Sequence, residues 1–212
     1  MSNAECRMLN AEYKNDKARR KAVWGGRVRI ASAAALAAAA LLALTSCSNS
    51  IRTGQASSYL ILTNLTGASG TSPVHSDVIS STGSVIDDAG QATFQLAMKD
   101  VNGLAPTDNN FITVTQYHVE YVRSDGRNTQ GVDVPFAFDG GANVTVTGTG
   151  SVRFTLVRVQ AKEEAPLKAL AFGGGANTIS TVARVTFYGH DQTGRDVSVT
   201  GNIEVDFSDW AG

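Results

Sequence analysis

Apolar and polar residues alternate most strictly near the C-terminus of the chain. Val197, Val199, Ile203, Val205 and Phe207 share one parity, with Gly201 among them; Ser198, Thr200, Asn202, Glu204 and Asp206 share the other. Successive side chains of a strand point to opposite faces, so this pattern predicts a half-buried strand. Ile179, Thr181, Ala183, Val185 and Phe187 alternate in the same way just before it, and Gly189–Gly194 has the composition of a hairpin loop. Further strands are expected at Tyr59–Leu65, Ala92–Lys99, Phe111–Arg123, Val134–Phe138, Asn143–Thr147 and Val152–Gln160. In Phe111–Arg123 the inward parity switches near Thr115–Gln116, because Ile112 and Val114 fall on one parity and Tyr117, Val119 and Tyr121 on the other. One inserted residue, a β-bulge, accounts for such a switch. Asp125-Gly126 marks a turn. The polar stretch Asn64–Val85 has room for a short edge strand. Ala161–Phe172 breaks the alternation and reads as a short helix starting near Pro166 and ended by Gly173-Gly174-Gly175.

Seven to nine short strands with turn signals at fairly even spacing predict an all-β, single antiparallel β-sandwich over 59–212, with a β-barrel as the alternative. The pattern resembles immunoglobulin and fibronectin III domains. The Cys-Trp-Cys signature of antibody domains is absent, since the only tryptophan after position 46 is Trp210.

The N-terminal part has a different pattern. Residues 1–46 hold eight basic and three acidic side chains, and no charge occurs between Arg29 and Arg52. Ile30–Leu44 is a 15-residue run of mostly Ala, Leu, Ile and Ser. A spanning helix takes about 20 apolar residues, so this length suits the hydrophobic region of an export signal. An uncleaved anchor and a plain secretory signal are the alternatives. The basic segment of 29 residues is long, and translation starting at Met8 or near Val28 leaves the same signal. The run ends in Leu44-Thr45-Ser46-Cys47, which resembles the lipobox of bacterial lipoprotein precursors. The resemblance implies a diacylglyceryl thioether on the Cys47 sulfur, cleavage between Ser46 and Cys47, and acylation of the new amino terminus. Several acyl chains hold a membrane firmly, at about 0.8 kcal/mol per buried CH₂. Ser48 after the cysteine, rather than Asp, implies passage to the outer membrane. The expected organisation is a signal peptide at 1–46, a flexible tether at 47–58 and the sandwich at 59–212.

Cleavage removes Cys6 and leaves Cys47 lipidated, so no disulfide staples the domain. The mature part keeps ten of the 18 basic residues and sixteen of the 19 acidic ones, a net charge of about −6. That charge disfavours nucleic acid as a partner. The membrane is the expected partner through Cys47, with a protein or glycan as a further one.

Candidate chemistry is sparse. His118 and Glu120 share a strand face, whereas His75 and His190 fall in expected loops. Asp87-Asp88, Asp125-Gly126, Asp139-Gly140-Gly141 and Asp191 with Gly194 are turn-like acidic segments of the kind that supply oxygens to calcium, although none follows the twelve-residue calcium loop. No G-x-S-x-G occurs, and the glycine run lacks the Lys and Ser/Thr of a phosphate loop. Asp133 and His118 with a serine give a triad only on paper. No catalytic residue, metal ligand or cofactor is assigned. Tyr117, Tyr121, Phe136, Phe138, Tyr188 and Trp210 serve either as packing or as a sugar- or protein-binding platform. Val134–Phe138 is a candidate edge for a partner strand. The function expected is a lipid-anchored, non-catalytic binding or envelope-structural domain. The alternatives are a calcium- or carbohydrate-binding module and an envelope hydrolase with an unrecognised site.

Overall fold

The computed structural model describes residues 56–100, 102, 105–173 and 177–210. The signal segment, the lipobox with Ser46 and Cys47, and Gly174 and Gly175 lie outside the described residues. Among the described residues no helix is long and apolar enough to cross a membrane.

Among the described residues, eight strands form two sheets: β1 (Ser58–Gly67), β2 (Val74–Asp77), β3 (Asp88–Met98), β4 (Ile112–Val122), β5 (Phe138–Val146), β6 (Thr149–Val157), β7 (Ile179–Asp191) and β8 (Asp196–Ser208). One sheet has the order β1-β3-β6 and the other β2-β8-β7-β4-β5. The chain changes sheet between β1 and β2, β2 and β3, β3 and β4, β5 and β6, and β6 and β7. Among the described residues, only β4–β5 and β7–β8 are hairpins within a sheet. Two sheets with these crossovers make a β-sandwich of the immunoglobulin-like kind rather than a closed barrel. The pairing is antiparallel except at β2, which runs parallel to β8. It continues the direction of β1, whose Leu62 and Leu65 lie against Gly201 of β8, after the chain has crossed to the second sheet.

The alternation read from the sequence is the burial pattern of the last two strands. Thr181, Ala183, Val185 and Phe187 of β7 and Val197, Ile203, Val205 and Phe207 of β8 are buried. Twelve residues of each strand pair in unbroken register from Ile179↔Phe207 to His190↔Asp196. The bulge in β4 is present between Val114 and Gln116, and it interrupts the register with both β5 and β7. It keeps Val114 and Tyr117 both inward although they are three residues apart.

The core is aromatic at its centre. The rings of Phe94, Tyr117, Phe154 and Phe187 meet at centroid distances of 5.0–6.3 Å, mostly edge to face. Burying a phenylalanine contributes about 1.5–3 kcal/mol, and edge-to-face pairing adds about 0.5–1.5 kcal/mol per pair. No cysteine lies among the described residues, so between them this packing holds the sheets together. Tyr121 packs on Phe207 at 5.6 Å.

Several expectations are corrected. Val134–Phe138 and Asn143–Thr147 are not two strands. A single strand, β5, runs from Phe138 to Val146 through Gly140 and Gly141. Its start is delayed because Pro135 lacks a donor and Gly131 turns the chain back, its N–H donating to the Val134 carbonyl. The helix does not begin near Pro166: α1 (Val159–Glu163) follows β6 almost directly, and Leu167–Leu170 after Pro166 is a separate 3₁₀ turn. The expected strand to Gln160 therefore ends at Val157. His75 and His190 lie in β2 and β7 rather than in loops. The sandwich also begins upstream of Tyr59, since Ala56 and Ser58 are already buried.

Candidate binding surface

The outer face of the five-stranded sheet is a grid of polar side chains fixed by register. Thr145, Thr113 and His190 form one row, and Gly141, Gln116, Tyr188 and Ser198 the next. Asp139, His118, Thr186 and Thr200 form a third, and Glu120, Arg184 and Asn202 a fourth. Side chains join across the rows' strands. The hydroxyls of Thr113 and Thr145 and of Thr186 and Thr200 lie 3.0 Å apart, and Gln192 Nε2 donates to Thr113 Oγ1. His118 Nδ1 is 2.8 Å from Asp139 Oδ1, and Arg184 Nη1 is 3.5 Å from Glu120 Oε2. Such exposed pairs contribute little stability, so their main effect is to fix side-chain positions.

The β4 bulge breaks the alternation on this face. Thr115 and Gln116 are consecutive and both exposed. Opposite them, Asp139, Gly140 and Gly141 complete an open concavity of about 410 Å³. The two glycines differ. A Cβ on Gly140 would come within 2.3 Å of the Tyr117 ring and hydroxyl, so the core requires glycine there. A Cβ on Gly141 would have no atom within 4 Å, and its φ is not in the left-handed region. Tyr188, 42% exposed, is the β7 register partner of Gln116 at the edge of this bay.

A second concavity lies at the end of the sandwich where β2 and β8 finish. Val78, Ile79, Val85, Ala171 and Phe172 line it, with Glu163 and Lys168 also in the wall. Phe172 is 87% exposed and adopts a φ of 63°. That left-handed conformation is costly for an aromatic residue. Lys162 is buried in the same wall. Its Nζ donates to the Asp77 carbonyl at 2.7 Å and to Asp88 Oδ2 at 2.9 Å, and Ser76 Oγ donates to the same Asp88 oxygen at 2.6 Å. This node ties β2, β3 and α1 together.

The residues singled out in the sequence are dispersed. His118 and Glu120 do share the outer face, but each turns to another strand for its partner. Asp133 accepts from the Thr129 N–H and lies apart from His118. Of the acidic segments, Asp88 is committed to Lys162. Asp125 is gripped by Arg123 and Arg127, whose hydrogen bonds hold its carboxyl well below the usual range. Asp191 organises the β7–β8 turn: its Oδ1 accepts from Thr193 N, Thr193 Oγ1 and Arg195 N. Burial alone would raise the Asp191 pKa, but those hydrogen bonds, with the Arg195 charge, outweigh it and lower the value. Among the described residues no three His, Cys, Asp or Glu side chains gather as a metal site.

Tyr117, Tyr121 and Phe138 belong to the core, whereas Phe136, Tyr188 and Trp210 are exposed in three separate places. The ring of Trp210 meets that of His75 at 5.0 Å beside β2. Val134 and Pro135 are buried, so the expected edge is instead β5, the last strand of its sheet. The His118–Asp139 pair, the Lys162 node and the strain at Phe172 were not read from the sequence. The first joins positions 21 apart and the second positions 74 apart. Only the unusual Asp-Gly-Gly beside an alternating strand hinted at the bay.

No protein-family model matches the chain, and none of the curated proteins matches it.

Proposed function

We propose that this protein is a lipid-anchored, extracytoplasmic β-sandwich that acts by binding, without catalysis, in the cell envelope. The observation that carries the reading is the order of a basic segment, a 15-residue apolar run and Leu44-Thr45-Ser46-Cys47. Cys47 is the lipidation site, Ser46–Cys47 the bond cleaved, and the membrane the first partner. Ser48 favours the outer membrane. The polar grid supports the binding part. It presents hydroxyl, amide, carboxylate and imidazole groups on a rigid sheet, where they are held in place before any partner arrives.

The anchor is tested by growing cells with a labelled fatty acid. The wild-type protein takes up label and is shortened, and Cys47→Ala stays unlabelled at precursor length. Normal shortening of Cys47→Ala sinks the lipobox. For binding, a photo-crosslinking residue replaces Thr200 on the grid, or Gln95 on the other sheet as control. Adducts from position 200 alone fit the reading, and equal yields from both positions contradict it. Protease shaving of intact cells then separates a periplasmic from a surface-exposed domain.

A further inference from the structure

We infer that the bay beside the β4 bulge is a subsite for one ring of a neutral glycan. This rests on the binding role proposed above and names its ligand class. The first argument is Gly141. Glycine inside a strand costs about 0.5–1 kcal/mol relative to alanine, and it persists where a turn, a packed neighbour or an approaching ligand requires it. Packing explains Gly140, through Tyr117; Gly141 has neither a close neighbour nor a left-handed φ, and it borders the register irregularity at which Ala142 and Asn143 oppose Thr115 alone, where a ring can reach its bare backbone. Its bare backbone is the floor of the bay.

The second argument is the set of groups around that floor. The bulge turns Thr115 and Gln116 outward side by side, supplying a hydroxyl and an amide that both donate and accept. Across from them is the Asp139 carboxylate, with Oδ1 fixed by His118. A pyranose carries adjacent hydroxyls that donate to a carboxylate or amide oxygen and accept from an amide N–H. It also has an apolar C–H face, and Tyr188 beside Gln116 offers an aromatic surface for it. The bay is open rather than enclosed, which suits a ring within a longer chain.

The third argument is charge. The part of the chain after residue 46 is acidic by about six charges, and Asp139 itself lines the bay. An anionic sugar would be repelled, so a neutral ring is selected.

The test uses the full protein purified in detergent and four neutral tetrasaccharides, of glucose, galactose, mannose and N-acetylglucosamine. Calorimetry reads binding. Gly141→Leu fills the bay without meeting another atom at its Cβ, and Tyr188→Ala removes the aromatic surface. At least one tetrasaccharide is expected to bind, with affinity reduced about tenfold or more by either change. Phe172→Gly, at the other concavity, leaves affinity unchanged. An unaltered melting temperature for Gly141→Leu shows that its fold is intact; if it is lowered, Tyr188→Ala and Gln116→Ala decide. Failure of all four sugars to bind, or binding insensitive to the bay variants, overturns the proposal. Position-200 adducts and Cys47 labelling are read separately, so the anchored-binding reading can survive that failure or fall without it.

Discussion

The phenol of Tyr121 in β4 donates a 2.6 Å hydrogen bond to the carbonyl of Leu156 in β6, across the interior from one sheet to the other. Four residues earlier in β4, the Tyr117 hydroxyl accepts from the Thr155 N–H at 3.1 Å. Burial pushes the Tyr121 pKa far above that of a free phenol, so the donor is retained at any physiological pH. Tyr121→Phe keeps the ring and strands a buried carbonyl. The expected loss is about 1–3 kcal/mol, read from urea denaturation. An unchanged midpoint would mean that the bond contributes nothing net.

The paired glycines of β5 are expected to respond in opposite ways. Gly140→Ala drives a methyl into the Tyr117 ring and costs about 1–3 kcal/mol or more. Gly141→Ala meets open space and gains up to about 1 kcal/mol by restricting the unfolded chain. Equal effects in thermal or urea melts would contradict the geometry of the bay.

Phe172 holds a left-handed backbone while burying little of its ring. Phe172→Gly relieves the backbone and raises stability by about 0.5–1 kcal/mol, after allowing for glycine's greater freedom in the unfolded chain. A marked fall in melting temperature would show that the ring contributes more packing than its exposure indicates.

Asp191 gives the β7–β8 turn a pH dependence of known sign. Its folded pKa is lowered, so its stabilisation is complete above its ordinary pKa of 3.8 and is lost as pH falls through the lower folded value. Asp191→Ala is expected to cost about 1–3 kcal/mol at pH 7, and the gap to wild type narrows below about pH 4. A gap that widens on acidification would contradict the sign.

The readable parts of the fold were those in which one strand's own sequence carries the constraint. The alternation of β7 and β8 gave their faces, and the parity switch at Thr115 gave the bulge, because a bulge displaces every later side chain by one position. β5 was unreadable for the converse reason. Asp139-Gly140-Gly141-Ala142 has almost no apolar contrast, and its strand character comes from register with β4. The same applies to the candidate site. Gln116 meets Gly141 and Tyr188 only through pairings 25 and 72 residues apart, which no local pattern encodes. Lys162 likewise carries no sign of its role in its own segment, because its partner Asp88 lies 74 residues earlier in the chain.

The two tyrosines of β4 also bear on crowding. Molecules held on a membrane share two dimensions, where a bare sheet margin would recruit a neighbour's strand and seed a polymer. β6 is such a margin, and Tyr117 and Tyr121 occupy one of its amides and one of its carbonyls from within the same molecule. The opposite margin, β1, is kinked by a register break between Leu62 and Asn64, and β2 offers only four residues. The sandwich thus blunts three of its four margins against its own copies. Growth of such a polymer is thereby confined to β5, the one margin of the described sheets that stays unblunted.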